Sequence, residues 1–308
     1  MRVLITGGSG KIGTRLIERL EKSNYQTVNF DVRPPKSGKY EFIEGSILDR
    51  EAVQKATKNV DVVIHLAAYP MEEVIPSYPQ GWDVNCTGTF NVFEYSVKNK
   101  VKKVIYASSI CAVGFITWNT PNHSIIYFPV DEKHPCRPEN IYGASKLLAE
   151  KLAYMYSRRS NTSFIGFRIA TVWFDGPNGG PDEDTKTLID DFVKDPANIL
   201  NRSFPYPNVT VHALKDLSWQ YVGVWDVAEA FKLAIENANT KFDIYNLGAE
   251  DSCSDWDSLK IAQYFYPGVS IRNPTIFLLD RKRTLWDISK AKRKLGFKPK
   301  FRWTEYVK

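Results

Sequence analysis

Tyr142 and Lys146 stand four residues apart in Tyr142-Gly143-Ala144-Ser145-Lys146. In a helix that spacing puts both on one face, where an ammonium can approach a phenol. A phenol ionises near pH ~10, so work as a base near neutrality asks for about 4 kcal/mol of phenolate stabilisation. Positive charge close to the oxygen is one way to obtain it. An isolated Tyr/Lys pair is an ordinary feature of a helix surface, and its meaning rests on what else the chain carries.

Near the start, Thr6-Gly7-Gly8-Ser9-Gly10-Lys11-Ile12-Gly13 spaces Gly7, Gly10 and Gly13 as GxxGxxG, between a β-branched run and a helix pattern. Glycines there let the backbone turn tightly and approach a pyrophosphate, whose charge then faces the helix N-terminus. The next strand ends in an acid, Asp31 in Asn29-Phe30-Asp31, close to the roughly 20 residues expected of a dinucleotide site. A carboxylate at that place accepts hydrogen bonds from the adenosine ribose and repels a 2′-phosphate, which favours NAD over NADP. Arg33, two residues on, could instead serve a phosphate. With a dinucleotide in view, the nicotinium charge joins Lys146 as a second stabiliser of a Tyr142 phenolate.

The elements that must hold these residues alternate regularly. Strand signals at 3–6, 27–31, 40–44, 60–66, 103–108 and 164–169 are interleaved with helix patterns at 12–20, 84–99 and 142–156. Strict βα alternation predicts an α/β fold, a doubly wound parallel sheet of the Rossmann type. Chemistry is then expected in the loops after residues 6, 31, 66, 108 and 169, beyond the carboxyl ends of the strands. The regularity ends near residue 170, before the turn-rich Asp175-Gly176-Pro177-Asn178-Gly179-Gly180-Pro181. Strands at 220–224 and 242–247 and a helix at 227–237 follow. The expected division is a nucleotide-binding domain over 1–170 and a smaller C-terminal α/β substrate-binding lobe over 171–308, partly interleaved with it.

Composition narrows the class. The 308 residues are 43% hydrophobic and 25% charged, which excludes a disordered or fibrous chain. Cys86, Cys111, Cys136 and Cys253 lie far apart with no CxxC pair, so neither a disulfide framework nor a metal site is expected. No apolar run approaches the ~20 residues that span a bilayer. The opening Met1-Arg2-Val3-Leu4-Ile5 passes directly into a strand, so no signal peptide is read there. A cytoplasmic protein is expected. The net charge of +6 is local: residues 281–308 hold 11 basic and 2 acidic residues, leaving 30 basic and 33 acidic in residues 1–280, a net of −3. A basic stripe could meet nucleic acid, but Trp286 to Gly296 reads as a solvated helix with an N-terminal acid and a glycine stop. No nucleic-acid partner is expected.

Taken together, these segments resemble the extended short-chain dehydrogenases/reductases of the NAD-dependent epimerase/dehydratase type. His65-Leu66-Ala67-Ala68 resembles that family's HxAA segment, and Asn85 in Asn85-Cys86-Thr87-Gly88-Thr89 its helix asparagine. Tyr106-Ala107-Ser108-Ser109 resembles the strand delivering the catalytic serine. Tyr221 to Ala228, Tyr245-Asn246-Leu247-Gly248 and 287–299 resemble C-terminal landmarks. The resemblance implies that Tyr142 takes a carbinol proton, that Ser109 hydrogen-bonds the same oxygen, and that Lys146 holds the ribose and lowers the tyrosine pKa. Ser109 is preferred because alternation along the strand turns Ser108 to the other face. For NAD it implies Gly7, Gly10, Lys11, Ile12 and Asp31 at the first two strands. It adds Ser46, Ile47, Leu66, Ala67, Ala68 and Asn85 beyond the next, and Ala107, Tyr142, Lys146 and Ile169 around the nicotinamide. Ser109, Ile110, Tyr142 and Thr171 are implied at the substrate, a sugar or sugar acid. A homodimer through helices 84–99 and 142–156 is implied too.

Departures from the family pattern bear on substrate. Ile110 and Cys111 stand where sugar-nucleotide dehydratases carry an acidic pair, which disfavours dehydration. Thr171 replaces an asparagine common in nucleotide-sugar 4-epimerases, and Trp219-Gln220 stands where they often have an arginine. Loss of a guanidinium removes a bidentate phosphate clamp. Gly114-Phe115 and Arg168-Ile169 are more similar to uronate-dehydrogenase-like members. Trp118, His123 and Tyr127 could face a sugar ring or simply pack. Cys111 resembles an acid/base cysteine of deoxysugar-forming epimerase–reductases, but without its partner histidine it reads as a buried thiol. The expectation is an NAD-dependent oxidoreductase acting on a carbinol, with a 4-epimerase that recycles its NAD as the alternative.

Overall fold

The computed structural model describes residues 1–35, 40–70, 75–115, 124–175, 196–197 and 219–306. Trp118, His123 and the segment 176–187 lie outside them. In chain order the sheet and its first helices are β1 (Arg2–Thr6), α1 (Lys11–Glu21), β2 (Gln26–Asp31), β3 (Glu41–Glu44), α2 (Arg50–Ala56) and β4 (Val62–His65). Then come α3 (Tyr78–Trp82), a π-helical segment Asp83–Gly88, α4 (Thr89–Lys98), β5 (Lys103–Ser109), a 3-10 turn Ile110–Ala112 and β6 (Tyr127–Phe128). They are followed by α5 (Ile141–Arg159), β7 (Ser163–Ile169), β8 (Thr171–Trp173), β9 (Tyr221–Gly223), α6 (Val224–Asn237) and β10 (Phe242–Leu247). The last elements are α7 (Ser258–Phe265), β11 (Ser270–Ile271), α8 (Thr275–Leu279) and α9 (Ser289–Leu295).

Seven parallel strands form one sheet in the order β10-β7-β5-β4-β1-β2-β3. Alternation along each strand makes it two-sided. Val3 and Ile5 of β1, Val62 and Ile64 of β4 and Ile105 of β5 join one core, with Leu16, Ile17 and Leu20 of α1 and Phe231 and Ala234 of α6. Leu4, Val63, Val104 and Tyr106 point the other way and join Val53 of α2, Val92 and Phe93 of α4, and Ala153 and Tyr156 of α5. The order reverses at β1, which has β2 on one side and β4 on the other, so the crevice beyond β1 and β4 is where such a sheet takes a ligand. The doubly wound parallel sheet expected from the sequence is the one observed.

Some elements differ from their expected limits. The helix expected over 84–99 opens with the π-helical turn, and only from Thr89 is it α-helical. Helix α6 starts at Val224, three residues earlier than its pattern suggested, because the strand before it is only Tyr221–Gly223. Beyond residue 170 the chain is not a separate layer: α6 packs on α1 and β10 pairs with β7 as the sheet's last strand. The basic helix α9 ends at Gly296, which takes the left-handed conformation at φ 75°. It is less solvated than expected. Ala291 and Leu295 are buried, Lys290 pairs with Asp243 at 2.5 Å, and Glu250 binds both Lys292 and Arg302. Part of the tail's charge is thereby neutralised within the protein.

Candidate active site

Register brings the singled-out residues to the carboxyl edge of the sheet. Thr6 lies beside Phe30 and His65, His65 beside Tyr106, and Ser109 beside Ile169. Thr171 opens β8 two residues beyond Ile169, and Ala107 is two residues inside Ser109 on β5.

The glycine loop runs from β1 into α1. Gly7 has φ 75°, and a Cβ there would lie 2.6 Å from the Ala67 nitrogen, so only glycine fits against the strand β4 exit. Gly10 caps α1 without a side-chain hydrogen bond, and the helix's first turn holds no acid. Its positive end, at Lys11 and Ile12, is thus not offset by the helix's own side chains. Asp31 is nearly buried at the end of β2, where its Oδ2 accepts from the Ser9 amide at 3.1 Å and its Oδ1 from the Arg33 amide at 3.0 Å. Each oxygen keeps an acceptor position for ribose hydroxyls. A turn that only glycine fits, a helix N-terminus with no acid in its first turn and an oriented carboxylate together fit a dinucleotide. The Arg33 side chain is exposed, and its carbonyl accepts from the Ser9 hydroxyl at 2.7 Å. Lys11 lies with its ammonium 4.7 Å from the Phe174 ring. Ser46 and Ile47 follow β3, and the Ile47 carbonyl is held by Asn91 at 3.0 Å. Leu66, Ala67 and Ala68 are half-buried at the β4 exit.

Across the crevice, α5 presents Tyr142 and Lys146. The Asn140 side chain caps this helix by accepting from the Gly143 amide at 2.6 Å, which places Tyr142 in the first turn. The Ser109 side chain lies beside the Tyr142 phenol, close enough to favour its ionised form, and its Oγ accepts from the Cys111 amide at 3.2 Å. Ile110 is buried in the same turn. Lys146 is nearly buried; its ammonium donates to the Ala107 carbonyl at 3.0 Å and sits 5.5 Å from the Tyr142 ring centre. Burial brings Lys146 down to about 8. The sequence led us to expect a depressed tyrosine. The structure corrects this: burial raises the Tyr142 pKa, the nearby Cys111 sulfur adds to it, and the neighbouring Ser109 side chain only partly opposes them. The protein alone therefore disfavours the phenolate, chiefly through burial, and Lys146 is engaged with a carbonyl.

Three features went unread in the sequence. Glu150 accepts from Ser108, which faces away from the crevice as alternation predicts, at 2.7 Å, and receives Arg168 at 2.9 and 2.8 Å as a buried fork. Glu150 follows Lys146 by four residues, and that repeat of Tyr142, Lys146 and Glu150 was a usable signal. Asn85 grips the Tyr69 backbone, its Oδ1 accepting at 2.8 Å and its Nδ2 donating at 3.2 Å. His65 is enclosed between two hydroxyls, Thr6 at 2.7 Å and Thr89 at 2.9 Å, and burial drives it down to about 3.

Residues 3–248 match the model of the NAD dependent epimerase/dehydratase family. The chain belongs to that family. As a member of the epimerase/dehydratase family it is an enzyme with NAD as its cofactor, as its glycine loop and Asp31 led us to expect. UDP-glucose 4-epimerase of Bacillus subtilis is 28% identical over 337 residues, spanning 97% of this chain and 93% of that protein. The uronate dehydrogenase of Pseudomonas syringae pv. tomato is 27% identical over 239 residues, 75% of this chain and 80% of its own. The solved structure of MoeE5 in complex with UDP-glucuronic acid and NAD shares the fold, with a TM-score of 0.70 at 22% identity over 99% of this chain and 96% of that one. No helix among the described residues is long and apolar enough to cross a membrane.

Proposed function

We propose that this enzyme oxidises a ring or chain carbinol of a sugar or sugar acid, with NAD as acceptor. The observation that carries the reading is the Ser109 side chain beside the Tyr142 phenol, with the Lys146 ammonium beside the same ring. Gly7, Gly10, Lys11, Ile12 and Asp31 hold the adenine half of NAD. Ser46, Ile47, Leu66, Ala67 and Ala68 line it, and Asn85, Ala107, Lys146 and Ile169 surround its nicotinamide end. Bound NAD supplies the hydride acceptor and one positive charge. Tyr142 removes the carbinol proton. Ser109 hydrogen-bonds the same oxygen and holds it against the phenol, while Ile110 and Thr171 border the substrate. Lys146 binds the ribose and adds its charge. Residues 1–170 act as the NAD-binding unit and 171–308 as the substrate-binding lobe, interleaved through α6 and β10.

A free sugar acid is favoured over a nucleotide sugar by what stands at 219 and 220. Trp219 is enclosed and donates to Tyr266 at 3.2 Å, and Gln220 is buried, so no guanidinium is offered to a substrate phosphate there. The second reading, a nucleotide-sugar 4-epimerase that retains and recycles NAD, is favoured by the nearly full-length likeness to the Bacillus subtilis enzyme. Incubation with sugar acids, free sugars and UDP-sugars separates the two. A dehydrogenase releases NADH in proportion to substrate, read at 340 nm, whereas an epimerase converts a UDP-sugar to its epimer with no net NADH. Neither result from any substrate refutes both. A homodimer through α4 and α5 accompanies the proposal, supported by Phe90 and Tyr154 exposed on those helices, as does a cytoplasmic site of action, supported by four free thiols.

A further inference from the structure

One run of hydrogen bonds joins the glycine-loop side of the crevice to the Tyr142 side, and every proton in it can be assigned. The Thr89 hydroxyl has a single proton and donates it to the Asn85 carbonyl at 2.6 Å. His65 Nε2, 2.9 Å from the same oxygen, must then be the donor. A neutral imidazole with its proton on Nε2 accepts at Nδ1, so the Thr6 hydroxyl donates to it at 2.7 Å. Thr6 Oγ1 is thereby left to accept the Ala67 amide, at 3.4 Å, on the segment that faces Gly7. On the other side, Ser145 donates to the Tyr142 carbonyl at 2.7 Å and so accepts from Asn85 Nδ2 at 3.4 Å. Thr6, His65, Asn85, Thr89 and Ser145 are all buried.

We infer that His65 and Thr89 are positioning residues: as a fixed Nε2–H imidazole and its hydroxyl acceptor, they set the spacing between the cofactor loop at Gly7 and Ala67 and the helix turn that carries Tyr142. The arrangement is not a proton relay. Both its branches end on backbone carbonyls, at Asn85 and at Tyr142, which cannot pass a proton on. It joins four separate pieces of chain (the end of β1, the end of β4, the π-helical turn before α4, and the first turn of α5); the sheet already pairs β1 with β4, so what it adds is a tie from that edge to the π-helical turn and to α5. The π-helical turn explains how Asn85 can serve both branches, since its carbonyl takes Thr89 while its side chain reaches Tyr69 and Ser145. The low pKa of His65, about 3, agrees with a ring that stays neutral beside Lys146. This inference rests on Tyr142 being the group at the reacting carbon.

Thr89→Val keeps the β-branched shape and removes the hydroxyl; Thr89→Ser keeps the hydroxyl. Thr89→Val is expected to lower kcat tenfold or more, within the roughly hundredfold that a 1 Å misplacement can cost. The dissociation constant for NADH, measured by fluorescence titration, should change less than about threefold, and Thr89→Ser should restore kcat. An unchanged kcat, a loss that serine does not restore, or NADH affinity falling together with kcat would overturn the inference. The tautomer is read independently by long-range ¹H–¹⁵N correlation on the wild-type full chain at pH 7, with His65 assigned through its contacts to Thr6 and Thr89. The Nε2–H form is expected, and an Nδ1–H or imidazolium pattern overturns the inference. Turnover of Tyr142→Phe tests the reading of Tyr142, and the tautomer tests the hydrogen-bond chain whether or not that reading survives.

Discussion

Replacing Lys146 by Met should make the enzyme slower and the fold more stable. The ammonium lies 5.5 Å from the Tyr142 ring centre. At an effective dielectric of about 20, a unit charge about 5 Å from a phenolate oxygen favours the phenolate by about 3 kcal/mol for as long as Lys146 keeps its proton, below about 8. That is about a hundredfold in the ionised fraction. Removing the ammonium disfavours the charged phenol, so activity at neutral pH, where Lys146 is protonated, falls about a hundredfold, and the gap narrows above about 8, where the wild type gives up that charge. The stability effect runs the other way. Burial brings Lys146 down from 10.5 to about 8, so the unfolded chain binds its proton more tightly than the folded one between those values. The wild type therefore gains stability as pH rises from 8 to 10.5, and below 8 it carries the full penalty, up to about 3 kcal/mol. The variant lacks that penalty and should melt higher than wild type at pH 7, with the difference shrinking as pH rises towards 10.5. Two measurements check this: kcat/KM from pH 6 to 10 by NADH absorbance, and thermal denaturation by circular dichroism over the same range. A gap between wild type and variant that stays constant across that range would refute the electrostatic role. A variant no more stable than wild type at pH 7 would refute the burial penalty.

Further outcomes follow from other contacts. On the proposed reading Asp31→Ala removes the acceptor for ribose hydroxyls, and losing hydrogen bonds to a charged group should weaken NADH binding about 10- to 100-fold in a fluorescence titration, with little change in kcat at saturating NAD. Glu150→Ala leaves the Arg168 guanidinium buried without its carboxylate, so urea denaturation should show a loss of about 3–5 kcal/mol. Gly296→Ala meets open space but forces alanine to a φ of 75°, costing about 1–2 kcal/mol with catalytic constants unaltered. Tyr142→Phe should abolish turnover yet keep NADH affinity within about threefold of wild type, because the adenine half is held elsewhere; retained turnover would remove Tyr142 from its role.

The sequence was most informative where local spacing carries the physics. GxxGxxG between a strand and a helix, Asp31 at the end of the next strand, and Tyr142 one turn from Lys146 are readable because each is set by one turn or one strand. Alternation also turned Ser108 away from Ser109 before any coordinates were considered. What escaped was long-range or depended on burial. Nothing near Tyr142 in the sequence announces that Ala107 will take the Lys146 ammonium, or that enclosure will raise the phenol rather than depress it. The π-helical turn at Asp83–Gly88 has no period that separates it from α4, and the two hydroxyls on His65 come from residues 59 positions before it and 24 after it. Short strands such as β8 and β9 lack the length for alternation to show.

The placement of β10 outside β7 has a consequence for biosynthesis. β7 ends at Ile169 and the strand that covers it begins at Phe242. At about 5–20 residues per second, a nascent chain would display the open rim of β7 for roughly 4–15 s before its cover emerges from the ribosome. Until then the rim is a row of unpaired amide and carbonyl groups ready to zip onto another chain. A fragment stopped after residue 170 would keep that rim permanently bare and should clump. The late-arriving segment thus shields the early half from its neighbours.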